Sequence, residues 1–316
     1  MTTQHIPVLL TQVCDLLRPQ QGDTVADLTA GLGGHAEALA EVIGPAGTLI
    51  LMDVDADNLA RAEARIGTQG PKLHAVHGNF AVAASKIAQL GLRCNCVLAD
   101  LGFASPQMDD PNRGFSFQED GPLDMRLDRS SGLTATDLLN SLPEAELAKV
   151  IRDFGEEPLA GRIAQKIALA RQRKPIQSTS CLVSLVREAY GARARSSRNH
   201  PATRTFMALR IAVNDELAAL DSLLEDIESG ARQVSAGGWL EPEARIAIIS
   251  FHSLEDRRVK RVFIELGRSD AATLLTRKPL RPTEEETAVN PRARSGKLRA
   301  IELASPAPSY VGADEA

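Results

Sequence analysis

The chain predicts a doubly wound α/β sheet interrupted by an all-α insertion. Three observations predict it. Between residues 24 and 100, short apolar runs alternate with amphipathic stretches, the pattern of a parallel sheet with crossover helices. From Leu133 to about Arg195 no alternating strand pattern occurs, only helical spacing broken by Pro143, Pro158 and Pro175. Beyond residue 207 the α/β rhythm resumes, so the first domain is discontinuous: 1–107 with 207–316 around an inserted helical lobe, 108–206. A length of 316 residues, above that of one average domain, suits two lobes.

Within the first half, strands are expected at Thr24–Asp27, Thr48–Asp53, Lys72–Val76 and Cys96–Asp100. Helices are expected at Glu37–Ile43, Ala56–Ile66 and Ala81–Leu90, with Gly44, Gly67 and Gly91 where each stops. The segment Gly102–Arg126 is rich in Gly, Pro, Asp and Phe and breaks the rhythm. Short helices follow at Thr136–Leu142, Glu144–Phe154, Leu159–Arg171 and Thr179–Tyr190. A long helix at Ala208–Ile227, a strand at Ala244–Ser250 and a helix from Leu254 continue the sheet domain. Leu298–Leu303 has the alternation of a last edge strand.

Composition excludes several classes. Hydrophobic residues make up 43% and charged residues 24%, and no apolar run approaches the roughly 20 residues that cross a bilayer. Met1–His5 lacks the basic and apolar segments of a secretory signal, so a cytoplasmic location is expected. Cys14, Cys94, Cys96 and Cys181 show no C-x-x-C spacing and are expected as buried small hydrophobes rather than metal ligands. A net charge of −5 argues against indiscriminate coating of nucleic acid. With aromatics at 3%, stacking of a long single strand on many rings is also disfavoured.

The chemistry is expected at the glycine-rich turn Asp27-Leu-Thr-Ala-Gly31-Leu-Gly33-Gly34-His35 between the first strand and its helix. Residues without a Cβ let backbone approach a cofactor closely, although a plain tight turn needs the same glycines. Asp53, 20 residues after Gly33 and at the end of the next strand, is placed to accept both hydroxyls of a ribose. The spacing fails the G-x-G-x-x-G/A order of dinucleotide enzymes, and no G-x-x-x-x-G-K-[ST] loop is present. NAD and ATP therefore fit less well than S-adenosylmethionine, an adenosine without phosphates. Phe80 stands where a ring can pack on adenine or simply fill the core, and Asp100 ends the fourth strand at the edge where open α/β sheets place ligands.

Several long blocks tie these positions together: His5-Ile-Pro7-Val-Leu-Leu10, Gly31-Leu-Gly-Gly-His35, Asp100-Leu-Gly-Phe-Ala-Ser-Pro-Gln107, Arg113-Gly-Phe-Ser-Phe117, Gly121-Pro-Leu-Asp-Met-Arg126, His200-Pro-Ala-Thr-Arg-Thr-Phe206, Leu209-Arg-Ile-Ala-Val-Asn-Asp-Glu216 and Ser250-Phe-His-Ser-Leu-Glu-Asp-Arg257. In these blocks the chain resembles the ribosomal RNA small subunit methyltransferase H family from His5 to about Lys260. The resemblance implies a class I S-adenosylmethionine-dependent methyltransferase fold with a helical insertion. It implies N4-methylation of a cytidine in the decoding region of 16S ribosomal RNA within the small subunit. It also implies cofactor contacts from Gly33, Gly34, His35, Asp53, Phe80, Asp100 and Gln107. Two blocks depart from the family's D-L-G-V-S-S and F-Q-A-L-R, reading Phe103-Ala104-Ser105 and Phe206-Met207-Ala-Leu-Arg210 here, and Gly155-Glu-Glu-Pro-Leu159 replaces G-E-E-R-F.

The N4 lone pair of cytosine is delocalised into the ring, so the amine needs acceptors to rehybridise. Asp100, or carbonyls from Leu101 to Ala104, are the candidate acceptors, with cofactor binding alone as the other role for Asp100. RNA contacts are expected from Arg187 to Arg210, where six arginines face one acid, Glu188; Arg193, Arg195, Arg198 and Arg204 are the leading residues. His252 is either a further RNA contact or part of a helix start in which Ser253 and Asp256 form the cap. A noncatalytic RNA-binding assembly factor on the same fold is the competing reading, opposed by the intact Gly33, Asp53 and Asp100; an amino-methyltransferase acting on DNA or a metabolite is a third.

Overall fold

The computed structural model describes residues 6–195, 200–234 and 238–305, with the side chain of Arg195 excepted. By internal contacts the chain divides into two units, residues up to Gly102 with those from Ala219 onward, and Phe103–Ala218. The expected lobe boundaries at 107/108 and 206/207 thus lie inside the second unit. Its inner packing explains both: Phe103 stacks on Phe115 with ring centroids 5.5 Å apart, and the helix that contains residue 207 packs within the helical core.

The first unit opens with α1 (Leu10–Leu17) and alternates β1 (Thr24–Asp27), α2 (Gly34–Ile43), β2 (Thr48–Asp53), α3 (Ala56–Ile66), β3 (Lys72–His77), α4 (Ala83–Gln89) and β4 (Cys94–Asp100). The second holds α5 (Ser105–Asp109), α6 (Ala135–Ser141), α7 (Glu144–Gly155), α8 (Ala160–Arg171), α9 (Thr179–Tyr190) and α10 (Thr203–Asn214). The chain then runs through α11 (Glu216–Arg232), β5 (Leu240–Ser250), α12 (Ser253–Arg268), β6 (Ala272–Leu274), α13 (Glu284–Val289) and β7 (Lys297–Leu303). The seven strands lie in the order β3-β2-β1-β4-β5-β7-β6. All pairs from β3 to β5 are parallel, and β7 runs antiparallel to both neighbours.

Strand alternation sorts the core into two layers. Ala26, Ile50, Met52, Val97, Ala99, Ile246 and Ile248 face the layer shared with α4, α11 and α12. Val25, Leu49, Leu51, Cys96, Leu98, Ala247 and Ile249 face α1, α2 and α3. Strand order reverses between β1 and β4, so their carboxyl ends diverge into a crevice, the topological switch point where such sheets bind ligands.

The structure departs from the sequence expectations at four places. The single helix expected over Ala208–Ile227 is two, α10 and α11, because Asp215 turns left-handed at φ 50°. Asn214 fixes that end, donating through Nδ2 to the carbonyls of Met125 and Arg210 and accepting the Leu127 N–H at Oδ1. The expected edge strand near residue 300 lies inside the sheet instead, since three-residue β6 pairs along its outer side. Helix α1 had not been expected; it buries Val13 and Leu17. The cap of α12 is His252 rather than Ser253.

The second unit has its own core, built from α6, α7, α8, α9 and α10 around Leu147, Ile151, Ile163, Leu182 and Phe206. Gly155 permits α7 to lie close against α10: a Cβ there would sit 2.6 Å from the carbonyl oxygen of Arg204. Gly155→Ala should therefore force the two helices apart and destabilise the protein by about 1–3 kcal/mol, as overpacked interiors do. A urea midpoint equal to that of the unsubstituted protein would show that the contact yields freely.

Candidate cofactor and active site

Asp27, Asp53 and Asp100 end three adjacent strands, β1, β2 and β4. Each follows a residue of the α2-facing layer by two positions (Val25, Leu51, Leu98), so period-two alternation puts all three carboxyls on that face. Register staggers them, because Asp27 pairs with Leu51 and with Leu98, which leaves Asp53 and Asp100 two residues further toward the carboxyl edge on either side. Sequence reasoning identified the outer two and missed Asp27 as a member, although Asp at the end of three of the first four strands was a legible signal.

The glycine turn is built on these acids. Asp53 accepts the Gly31 N–H at Oδ2 (2.7 Å) and the Asp55 N–H at Oδ1 (2.8 Å), bracing the turn from the neighbouring strand. Gly31 and Gly33 have φ of 52° and 78°, a region where only glycine is unstrained, and a Cβ on Gly33 would meet the Ala62 Cα at 3.0 Å. Gly34 is small for another reason: its Cβ would fall 2.4 Å from Cγ of Pro7. The segment Pro7–Val8 is held on the turn by buried His35, whose Nε2 lies 3.0 Å from the Val8 carbonyl oxygen. The other ring nitrogen of His35 is 3.7 Å from Oδ2 of Asp100.

Burial dominates the electrostatics. Asp27 is 1% exposed, and desolvation, reinforced by Asp53, pushes its carboxyl up to about 7. Desolvation likewise raises Asp53 to about 6, against the pull of its two backbone N–H donors. Asp100 is raised well above the carboxylate range by desolvation first, then by Asp27 and Glu255. Its Oδ1 is buried with no hydrogen-bond partner among the described residues. A crevice lined by crowded, desolvated carboxyls favours a cationic ligand that also offers hydrogen-bond donors.

Phe80 begins a 3-10 turn after β3, half-buried against the sheet core, with Asn79 capping the turn by accepting the Ala81 N–H. Gln107 belongs to the second unit, buried on α5, where its Oε1 accepts the Ala104 N–H at 2.8 Å. His252 caps α12 through Nδ1, which accepts the Glu255 N–H, while Glu255 Oε2 accepts the N–H groups of Phe251 and His252. That ring is only 8% exposed and is a structural part of the helix start. Arg193 and Arg204 are exposed in the second unit; Arg198 and the side chain of Arg195 lie outside the described residues. Arg210 is drawn out of the basic cluster by two hydrogen bonds to Glu216, at 2.8 and 2.7 Å. The later basic group is similarly reduced, because Lys297 and Arg299 both pair with Asp256.

A family model described as the MraW methylase family matches residues 2–304. The chain belongs to that family. It is 42% identical over 319 residues to ribosomal RNA small subunit methyltransferase H of Heliobacterium modesticaldum, with 96% of this chain and 99% of that one covered. It is 45% identical over 316 residues to the protein of that name from Pelobacter propionicus (95% and 98%), and 44% identical over 314 residues to the one from Syntrophotalea carbinolica (94% and 97%). The sheet is that of a class I methyltransferase, and the cofactor is S-adenosyl-L-methionine. The site fits this group: the turn at Gly31–Gly33 lacks the Cβ atoms that would fill a cradle, Asp53 stands at the end of β2 as an acceptor for ribose hydroxyls, and the orphaned Oδ1 of Asp100 suits a donor or a positive charge.

A titration follows from the raised acids. Asp27 holds its proton to about pH 7 when folded but releases it near 3.9 when unfolded, so its contribution to stability is complete below about pH 4 and is lost as pH rises toward 7. Asp27→Asn, which keeps the neutral form at every pH, should flatten the decline of the cofactor-free protein between pH 4.5 and 7.5. Urea midpoints across that range measure it, and an unaltered decline would assign the proton elsewhere.

Proposed function

We propose that this methyltransferase transfers the methyl group of S-adenosyl-L-methionine to the exocyclic N4 of a cytidine in the decoding region of 16S ribosomal RNA, with the small ribosomal subunit as substrate. The relatives, named as ribosomal RNA small subunit methyltransferases, support the ribosomal RNA of the small subunit. The observation that carries the chemistry is Asp100: a half-buried carboxyl at the switch point, with one oxygen buried and unpartnered among the described residues.

An aromatic amine attacks poorly while its lone pair is shared with the ring. An acceptor for an amino hydrogen lets the nitrogen rehybridise and aims the lone pair. Bound cofactor supplies an electrophilic methyl on a positively charged sulfur. Asp27, Asp53 and Asp100 would hold that positive charge, which would favour their ionised forms and leave Asp100 able to act as an acceptor. The N4–C bond forms as the S–C bond breaks, and the proton shed by nitrogen is taken at Asp100 Oδ1.

The cysteines support amine rather than ring-carbon chemistry, for which a thiolate nucleophile is the usual device. Cys96 has its thiol pushed up to about 12 by burial, donates to the Leu17 carbonyl, and sits four residues before Asp100 on β4, about 13 Å away along an extended strand. Cys94 lies further still, Cys14 is on α1 and Cys181 on α9 of the second unit.

The target base must leave its stack to reach a buried methyl, at a cost of a few kcal/mol. Exposed Arg193 and Arg204 of the second unit, joined in sequence by Arg195 and Arg198, supply guanidinium groups for the surrounding phosphates.

Labelled cofactor offered to small subunits, bare 16S RNA, DNA and small-molecule pools should mark N4 of one cytidine in the RNA, with subunits the better substrate; label in DNA or metabolites alone would overturn the proposal. Asp100→Asn should lower the single-turnover rate at saturating cofactor by about 10²–10⁴. An unchanged rate with weakened cofactor affinity would reduce Asp100 to a cofactor ligand.

A further inference from the structure

We infer that the solvent face of α12 is a second docking surface for ribosomal RNA phosphates, separate from the arginine cluster of the helical unit. The inference rests on the ribosomal RNA reading above.

Helix α12 begins at the carboxyl edge of the sheet, directly after β5 and one strand from Asp100. Its inner face buries Leu254, Glu255, Val259, Phe263 and Leu266. Helical periodicity puts Arg257, Lys260, Arg261 and Arg268 on the opposite side within one stripe, and all four are exposed. Residues 257–268 carry five cations, Arg257, Arg258, Lys260, Arg261 and Arg268, against the single acid Glu265, in a chain whose net charge is −5.

The counter-charges are spent elsewhere. Asp256 is taken by Lys297 and Arg299, and Glu255 is turned inward to the helix cap. Arg258 leaves the stripe to pair with Asp221 on α11 at 3.0 Å. Among the described residues no ion pair joins Lys260, Arg261 or Arg268 to an acid.

A solvated cationic face is the common fate of such a run. Here Glu255, Asp256 and Asp221 are withdrawn, only Glu265 remains exposed beside the stripe, and the stripe descends from the carboxyl edge of the sheet. From Lys260 to Arg268 it extends about 12 Å along the helix axis, the axial length of three or four phosphates on one strand. Few rings are available for stacking, which suits a surface that grips backbone and leaves the bases unread.

The test is the charge-reversed pair Lys260→Glu with Arg261→Glu, with Lys260→Gln and Arg261→Gln as a gentler version should the first melt early. With the full-length protein, affinity for bare 16S RNA at about 0.15 M salt should fall roughly tenfold or more, and the slope of log affinity against log salt should flatten by about 1.5, as expected for two lost phosphate contacts. KM for small subunits should rise while kcat and the dissociation constant for S-adenosyl-L-methionine stay unchanged. Unaltered RNA affinity and salt slope in both variants would overturn the inference. A raised KM for subunits with unaltered binding to bare RNA would overturn it too, by placing an acidic protein on the stripe. If the unsubstituted protein binds 16S RNA through these residues yet methylates none of it, the docking surface stands and the proposed reaction fails.

Discussion

Three carboxyls drawn largely out of water at the ends of three parallel strands set the conditions for the rest of this molecule. A folded chain can keep Asp27, Asp53 and Asp100 out of water only by holding their protons or by giving them partners, and the structure does some of each. Asp53 is tied to two backbone N–H groups, Asp27 to the Thr29 N–H, and Asp100 faces His35 while one of its oxygens has no partner among the described residues. The glycine turn, the docked Pro7–Val8 segment and the cap of α12 all close around this cluster. Among the described residues one oxygen of Asp100 is left over, in a crevice whose crowded carboxyls favour a positively charged ligand. Stability and cofactor affinity are therefore linked: the same desolvation that raises the acids makes them respond to a positive ligand.

Much of the sheet was legible because a strand buried on both faces and ended by a polar residue has few alternatives. β1 and β2 match the expected spans residue for residue, since Thr24 and Thr48 open each run and Asp27 and Asp53 close it. The failures have local causes. Asp215 broke a helix whose apolar spacing continues through the break, because a single left-handed residue leaves no mark on periodicity and the partners of the preceding Asn214, Met125 and Leu127, lie far away in sequence. Three-residue β6 is too short for alternation to register. The site was half legible. Asp53 and Asp100 stand out by position, but the small size of Gly34 answers to Pro7, a contact between segments that no spacing rule reports, and His252 needed coordinates to show its ring accepting a backbone N–H.

Charge is distributed with the same economy. The acids near the reaction edge face inward and stay crowded, whereas the cations of α12 and of the helical unit stay outward. Arg210, Lys297 and Arg299 look in sequence like members of basic clusters, yet each is consumed by an acid, Glu216 or Asp256. Counting cations along a sequence overstates a nucleic-acid surface by the number that the fold neutralises. The arginines and lysines that survive that subtraction, Arg204 on α10 and Lys260, Arg261 and Arg268 on α12, are those on which the RNA arguments rest.

The departure at Phe103-Ala104 can now be given a physical account within the helical unit. The Phe103 ring stacks on Phe115 at an interplanar angle of 17°, and the Arg210 guanidinium lies 4.9 Å from its centroid. Arg210 is itself clamped by Glu216, so the ring sits between a fixed cation and a buried aromatic, an arrangement that a valine's smaller apolar surface would fill less completely. Ala104 has no hydroxyl with which to cap α5, and Gln107 compensates from the other direction by accepting the Ala104 N–H. Gln107 thus commits its carbonyl oxygen to the helix start.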